Sequence, residues 1–301
     1  MKEHGKAMVM AAFVADSLAL GAHWIYNTED ISRTFGRMDR LQAPGPESYH
    51  PAKRAGEFTH YGDQTLALLE SVAQNDGFDL YHFSTLWRAL FDGYDGYVDE
   101  ATRATLSGFA AGKGPQSAGA PSDDLGGAAR IPPLVHRYRN DLIGVIDASR
   151  SQTHMTHTDP VTVDSAEFFA TVAWLVLNGM PPVAAMQTVA QDQFANSPVY
   201  GWVKEGIASK DTGSVTAIGK FGQSCRTAEA FPGVVHLIAR YQEDLKKALV
   251  QSVMAGGDSA ARGMLAGMVI GAHSGWDGLP KEWVSGLKEK EKVLSLLERI
   301  S

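Results

Sequence analysis

The sequence is short of cysteine, of positive charge and of long apolar runs. Cys225 is its one cysteine, which excludes an internal disulfide framework and is typical of a reducing compartment, so we expect a cytoplasmic protein. The formal net charge of −7 lacks the basic surface that general binding to DNA or RNA needs, so no nucleic-acid partner is expected. No stretch reaches the roughly 18 uninterrupted apolar residues of a membrane span, so no membrane partner is expected either.

The N-terminal segment resembles a signal peptide in its apolar run. Asp16 interrupts that run and no clear polar spacer follows a cleavage site, so we expect a first core helix over 6–22. Apolar residues recur at helical spacing through most of the chain, and we find no βαβ alternation, internal repeat or low-complexity tail. The sequence therefore predicts an all-α fold, a single compact multi-helix domain over 1–301.

Local signals predict several boundaries. Asn27 or Thr28 caps a short helix that Gly36 ends. Pro132 and Pro133 bend or restart a helix over 126–138. The other predicted elements are a long proline-rich loop over 41–57 (a lid or surface decoration), a helix over 233–241 opened by Pro232 and a last helix over 284–300, while 206–222 is ambiguous.

The stretch 254–272 presents a carboxylate at the start of a small-residue helix. A Gly-Gly turn precedes Asp258 and Ser259, and either residue can accept hydrogen bonds from the free N–H groups that open a helix. Small residues behind it, such as Gly267 and Gly271, let other helices approach closely. Asp258 is therefore either an ordinary cap on a core helix or a polar group held at the edge of a cavity.

Acidic residues occur beside glycine or small residues at four places. They are Asp16, Asp63 with Gln64, Asp123 with Asp124, and Asp258. Each alone is explained by the preference of acids for helix starts, but together they favour a shared site. Oxygen ligands suit magnesium, calcium or manganese, and zinc is not expected because there is no cysteine pair and no HExxH spacing.

The order of the motifs resembles the ADP-ribosylglycohydrolase family, whose enzymes remove ADP-ribose from modified proteins. The similarity runs almost end to end, through VADSLALGAHWIY, GEFTHYGDQTLALLESV, GGAARIPPLV, THMTH, AFPGVVHLI and GGDSAARGMLAGMVIGA. Within the family the chain is most similar to the branch of the J-type lens crystallins and selenoprotein J. The markers of that branch are AHWIY at 22–26, YGDQ at 61–64 and GGDSAAR.

The resemblance implies two magnesium ions between two aspartate-rich turns, but this chain departs from that pattern. The turns read GDQT at 62–65 and DSAA at 258–261, so only Asp63 and Asp258 remain of the four family aspartates. We expect at most one weakly held magnesium ion, on Asp63 and Asp258, with Asp123 and Asp124 as replacement carboxylates.

Arg262 offers an alternative to a metal ion. It follows Asp258 by four residues, so the two side chains can meet on a helix. One hypothesis is that its guanidinium stands in place of the metal charge and neutralises Asp63 and Asp258. The other is an exposed Asp–Arg pair worth a few tenths of a kcal/mol.

Glycosidic cleavage at ribose builds positive charge on the sugar, which one carboxylate stabilises while a second activates water. We assign these tasks to Asp63 and Asp258, with Asp124 as the alternative base. His157 is a further acid or base candidate, the alternative being a hydrogen-bonded core or turn histidine. Cys225 is interpreted as a small buried thiol rather than a nucleophile.

Substrate contacts are expected from residues near these acids. Gly126 and Gly127 resemble the family's phosphate-cradling loop. Aromatic rings, including Tyr26, can stack on the adenine or cover the ribose, although core packing explains each of them equally well. The predicted substrate-binding residues are Asp16, Trp24, Tyr61, Gln64, Asp123, Gly126, Gly127 and His154.

Three functions remain open at this point. The first is a hydrolase that cleaves the glycosidic bond at the ribose of an ADP-ribosyl or related ribosyl group, with a degenerate metal site. The second is a module that binds ADP-ribose or a nucleotide without turnover. The third is a crystallin-like structural protein. The expected partner of the first two is a small-molecule or protein-linked ADP-ribosyl group.

Overall fold

The computed structural model describes residues 1–300, which form a wholly helical protein with isolated β-bridges and no strand within that range. The α-helices are α1 (Lys2–Ala19), α2 (Thr28–Phe35), α3 (His60–Asn75), α4 (Leu80–Leu90), α5 (Glu100–Ala110), α6 (Gly126–Ala129), α7 (Pro132–Arg137), α8 (Leu142–His154), α9 (Pro160–Leu177), α10 (Pro182–Gln193), α11 (Pro198–Ala208), α12 (Ser214–Phe221), α13 (Thr227–Tyr241), α14 (Leu245–Met254), α15 (Ser259–Ser274), α16 (Lys281–Gly286) and α17 (Lys290–Arg299). Short 3₁₀ helices cover Leu20–Ala22 and Gly275–Gly278. The predicted all-α fold is confirmed.

The centre of the fold is the pairing of α1 with α15. Every residue of α1 from Gly5 onward is buried, as expected for a helix that is apolar on all sides. A Cβ atom on Gly271 would lie 2.6 Å from the Cβ of Ala11, and one on Gly267 would lie 3.0 Å from the Ala11 carbonyl oxygen. Glycine on α15 therefore allows the two backbones to approach closely, and the N-terminus of α15, with Asp258, lies in the interior.

Two boundary predictions are confirmed. The side chain of Asn27 accepts a hydrogen bond from the Glu29 N–H at 3.0 Å, and α2 ends at Gly36, whose φ is +68°. The helix predicted over 126–138 is interrupted before Pro132 and continues as α7.

Two other boundary predictions are wrong. Helix α13 begins at Thr227 rather than at 233, so Pro232 lies inside the helix instead of opening it. The helix predicted over 284–300 is two helices, because Leu287 leaves the helical conformation with a ψ of 132°. The ambiguous segment 206–222 contains the end of α11 and the whole of α12.

Two helical segments have the length and apolar composition to cross a membrane. They are Lys2–Ala22 and Pro160–Leu177. The apolar 18-residue window of the first is wholly buried inside the protein and that of the second about two thirds buried, which is also what core helices show. The absence of a membrane partner stays a prediction.

Candidate active site

Asp258 is held in place by a turn that requires glycine. Gly256 and Gly257 have φ angles of +73° and +66°, and a Cβ atom on Gly257 would overlap the carbonyl oxygen of Gln223. That same oxygen accepts a hydrogen bond from the Asp258 N–H at 2.8 Å. Asp258 Oδ1 in turn accepts from the Ala261 N–H at 3.1 Å, so Asp258 is the cap of α15 that the sequence predicted.

The side chain of Asp124 lies near that of Asp258, although the two residues belong to different loops. The Leu125 N–H donates to the Cys225 carbonyl oxygen at 2.8 Å, so the loop before α6 runs beside the loop before α13. Asp124 Oδ1 accepts from the Gly126 N–H at 2.7 Å, which fixes the carboxylate. This pairing puts the Cys225 thiol next to Asp124.

Tyr61, Asp124, Cys225 and Asp258 form one group, which we call the acid cluster. The Tyr61 hydroxyl donates to Asp258 Oδ2 at 2.8 Å and lies 3.3 Å from both carboxylate oxygens of Asp124. One ligand atom each from Asp124, Cys225 and Asp258 lie within 4.8 Å of one another. Asp258 is fully buried, whereas Asp124 and Cys225 are partly exposed, so the cluster reaches the surface on one side.

Burial controls the protonation of this cluster. It raises the pKa of Asp124 well above the ordinary value, and the nearby charge of Asp258 raises it further. Burial also raises the pKa of Asp258, but hydrogen bonds from Tyr61 and from the Ala261 N–H oppose that shift. Asp124 is therefore the member of the pair that holds a proton more readily.

The structure corrects the interpretation of Cys225 as a buried thiol. Its side chain is partly exposed and borders both carboxyl groups. Burial, followed by the charges of Asp124 and Asp258, raises the pKa of the thiol, so it is not an activated nucleophile near neutral pH.

Asp63, which we assigned to the same catalytic step as Asp258, makes its side-chain hydrogen bonds outside the acid cluster. Asp63 Oδ2 accepts hydrogen bonds from Lys53 Nζ at 2.7 Å and from the Tyr94 hydroxyl at 2.5 Å. Asp63 follows Tyr61 by two positions on α3, a rotation of about 200°, so the two side chains leave the helix on opposite sides. Asp124, rather than Asp63, lies beside Asp258. Asp63 connects α3 to the 41–57 loop through its contact with Lys53.

Gln64 belongs to a buried polar network. Its Oε1 accepts from Trp87 Nε1 at 2.7 Å and from Arg130 Nη1 at 2.9 Å. Arg130 also donates to Gln152 Oε1 at 3.1 Å and to Thr156 Oγ1 at 2.5 Å. The predicted substrate contact at Gln64 is therefore replaced by a structural one, because its amide oxygen already has two donors.

The two candidate histidines, His154 and His157, lie in different environments. His154 is the last residue of α8 and is exposed, where it lines a surface hollow with Pro115 and Arg150. His157 is buried, and its Nδ1 lies 2.8 Å from Thr156 Oγ1. Burial, and after it the charge of Arg130, lowers the pKa of His157 to about 3, so it stays neutral near pH 7 and does not act as an acid there.

Gly126 and Gly127 pack against the rings of neighbouring residues, where a side chain would not fit. A Cβ atom on Gly126 would overlap the ring of Tyr61, and one on Gly127 would lie 2.6 Å from His157. The Gly126 and Gly127 N–H groups already donate to the side chain and the carbonyl of Asp124, at 2.7 and 3.3 Å. These N–H groups are therefore not free to cradle a phosphate, contrary to the expectation from sequence.

Asp16 and Asp123 lie outside the acid cluster. Asp16 is fully buried and accepts from the Thr59 N–H at 2.8 Å and from the Thr59 hydroxyl at 2.5 Å, which fixes the start of α3. Burial raises the pKa of Asp16 to about 7. Asp123 is exposed, 3.9 Å from Arg226 Nε. Asp16 therefore positions the helix that carries Tyr61 and has no access to a ligand.

Arg262 lies in the interior, so its interpretation as an exposed ion pair is wrong. The side chain is fully buried, and its Nη2 donates to the carbonyl oxygens of Ser252 at 2.8 Å and Gly256 at 2.7 Å. These hydrogen bonds go to backbone groups rather than to Asp63 or Asp258, and the replacement of a metal charge by Arg262 stays a hypothesis. Its charge still lowers the pKa of Asp258, after the larger effects of burial and hydrogen bonding.

The two-magnesium arrangement implied by the family does not fit these residues. The carboxylate of Asp63 is paired with Lys53, and the amide oxygen of Gln64 is used by Arg130. Ala260 and Ala261 offer no side-chain oxygen. The oxygen-only set that magnesium prefers is therefore broken at both turns.

Trp24, Tyr49 and Tyr97 form a group of packed rings beside the acid cluster, which we call the aromatic wall. Trp24 has a φ of +65°, uncommon for a residue with a side chain, and stacks on His23 with the ring centroids 4.3 Å apart. The rings of Tyr49 and Tyr97 meet Trp24 edge-on, and Tyr49 is 56% exposed. The wall offers flat surfaces on which a ligand ring can stack.

Several residues of this region were not found from the sequence. They are His23, Tyr49, His50, Lys53, His60, Tyr94 and Tyr97. Most of them lie in loops, where no periodic pattern indicates which way a side chain points. The one available signal was the density of aromatic and histidine residues in 48–61 and 94–97.

Comparison with known proteins shows the family to which the chain belongs. A family profile described as ADP-ribosylglycohydrolase matches residues 1–301. Crystallin J1A and Crystallin J1B of Tripedalia cystophora are each 24% identical to the chain, over 100% of its length and 97% of theirs. A solved structure described as an ADP-ribosylglycohydrolase-related protein complex has the same fold, with a TM-score of 0.78 at 21% identity over 99% of this chain and 97% of that one. The predicted similarity to the J-type crystallins is confirmed.

Proposed function

This chain belongs to the ADP-ribosylglycohydrolase family, and from that premise we propose that it hydrolyses the glycosidic bond at the ribose of an ADP-ribosyl or related ribosyl group. The observation that carries the proposal is the pair of carboxyl groups of Asp124 and Asp258, both within reach of the Tyr61 hydroxyl. Glycosidases commonly use two carboxyl groups whose surroundings give them different proton affinities.

Asp124 is the proposed acid. It is partly exposed and its pKa is raised by burial and by Asp258, so it carries a proton that it can give to the leaving atom at the anomeric carbon. Asp258, whose carboxyl group accepts hydrogen bonds from the Tyr61 hydroxyl and the Ala261 N–H, is the proposed group that stabilises the positive charge developing on the ribose. Water then adds to the anomeric carbon and returns its proton to Asp124.

Substrate binding is proposed at the open side of the cluster. Trp24, Tyr26 and Tyr49 can stack against the adenine or cover the ribose, and Tyr26 is 50% exposed. Arg226 directly follows Cys225, and its side chain is 68% exposed. It is the proposed contact for the pyrophosphate, because a guanidinium matches phosphate oxygens in charge and geometry.

The test measures the release of ADP-ribose from an ADP-ribosylated protein by mass spectrometry. The reaction is run once with EDTA and once with added magnesium. Release is expected in both conditions, with losses of about 10²-fold or more in Asp124→Asn and Asp258→Asn. Asp63→Asn is the matched control and should retain most activity. Release that requires magnesium and Asp63 would restore the family's metal mechanism and reject this one.

The second candidate is a protein that binds the ligand or has a structural role, without turnover. The similarity to two crystallins and the loss of oxygen donors at Ala260 and Ala261 favour it. Thermal denaturation with ADP-ribose separates the cases. Stabilisation without release from any ADP-ribosylated substrate supports a binding module, and no stabilisation supports a structural role.

A further inference from the structure

The acid cluster brings together three side chains that lie far apart in the sequence. Asp124, Cys225 and Asp258 come from three loops, and their ligand atoms lie within 4.8 Å of one another. The loops are locked by backbone hydrogen bonds of 2.8 Å from Leu125 to Cys225 and of 2.8 Å from Asp258 to Gln223. One sulfur and two carboxylates are thus held together before any ligand arrives.

A buried histidine without a partner faces the same cluster. His23 is 2% exposed, and both of its ring nitrogens are buried without a hydrogen-bond partner. Its Nδ1 lies 3.9 Å from Asp258 Oδ1. A buried polar atom normally has a partner, so this nitrogen points to a ligand at the cluster.

We propose that Asp124, Cys225 and Asp258 bind one thiophilic divalent cation of the zinc class, with His23 as the adjoining nitrogen donor. Thiolate, imidazole and carboxylate together are ligands of zinc and similar ions, whereas magnesium selects oxygen atoms in near-octahedral geometry. From the sequence we did not expect zinc, because these donors belong to no spacing motif. The ion takes the oxygen atom of Asp124 that the proposed acid needs, so it is an inhibitor of turnover rather than part of it.

Cobalt titration tests the site independently of any activity. Cobalt(II) added to the purified, EDTA-stripped chain is expected to bind at one equivalent and to give a thiolate-to-cobalt absorption band in the near ultraviolet. Zinc should displace the cobalt, and a large excess of magnesium should not. Cys225→Ala should abolish the band, and His23→Ala should weaken binding by about 10- to 100-fold.

Matched variants keep the test decisive. Asp63→Asn, which alters an acid outside the cluster, should retain the band and the affinity. Circular dichroism verifies that Cys225→Ala folds, and its partly exposed side chain makes the substitution mild. Cobalt bound without a thiolate band, cobalt binding unchanged in Cys225→Ala, or no binding at all would overturn the proposal, whether or not the chain hydrolyses ADP-ribosyl groups.

Discussion

Tyr61 and Asp258 are 197 positions apart in the chain, and the Tyr61 hydroxyl donates to Asp258 Oδ2 at 2.8 Å in the protein interior. The bond joins the first turn of α3 to the cap of α15. Because the same hydroxyl lies 3.3 Å from both oxygens of Asp124, it links the two carboxyl groups of the acid cluster. The position of the Tyr61 ring therefore determines which two carboxyl groups share a hydrogen-bonding hydroxyl.

Tyr61→Phe should lower kcat by about 10²-fold, because it removes the hydroxyl that connects the acid to its partner. It also removes a hydrogen bond that lowers the pKa of Asp258, so that pKa should rise. Carboxyl NMR of labelled aspartate across a pH titration checks the shift. Tyr81→Phe, on a ring that is 58% exposed and lies outside the acid cluster, is the control and should leave kcat unchanged. An unaltered kcat in Tyr61→Phe would remove Tyr61 from the mechanism.

Asp16 should make the free energy of unfolding depend on pH. Its pKa is about 7 in the folded protein, against an ordinary value of 3.8, so the folded state binds the proton more tightly. This contribution is fully present below about pH 4 and is lost as the pH rises through about 7.

Urea unfolding at about pH 5 and about pH 8 measures the effect. Asp16→Asn should flatten the dependence between these values, while Asp123→Asn, at an exposed carboxylate, should preserve it. The same pH dependence in Asp16→Asn as in the native chain would show that other groups cause it.

The ion pair of Lys53 with Asp63 should hold the 41–57 loop against the protein. Both side chains are largely buried, at 13% and 16% exposure, and the atoms are 2.7 Å apart. A double-mutant cycle of Lys53→Met and Asp63→Asn should give a coupling energy of about 1–3 kcal/mol.

Limited proteolysis supplies a second measurement of the same contact. Cleavage within 41–57 should accelerate in either single variant. The exposed pair of Lys246 with Glu282 is the comparison and should show a smaller coupling. Equal coupling in the two pairs would mean that Lys53 adds nothing beyond a surface contact.

Gly126→Ala should cost about 1–3 kcal/mol of stability and displace Tyr61, because the new Cβ atom would overlap its ring. Chemical denaturation and the ADP-ribose release assay check both effects. Gly114→Ala is the control, since a Cβ atom there meets nothing within 4 Å, and it should change stability by less than about 0.5 kcal/mol. A stable, active Gly126→Ala would show that the ring has room to move.

The helical class and the helix starts near Asn27 and Asp258 follow from the sequence alone. These features depend on residues within about four positions of each other, so a local pattern is enough to predict them. The burial of α1 also follows from its composition, because it is apolar on every side.

The identity of the acid beside Asp258 does not follow from the sequence, because packing in the folded chain sets it. The rotation of α3 sends Tyr61 toward that carboxylate and Asp63 away from it, and the pairing of two distant loops brings Asp124 and Cys225 together. The acidic motifs in the sequence do not predict how a helix is rotated relative to its neighbours. Nor do they predict which residues of two distant loops pair. Both are set by packing across the whole fold.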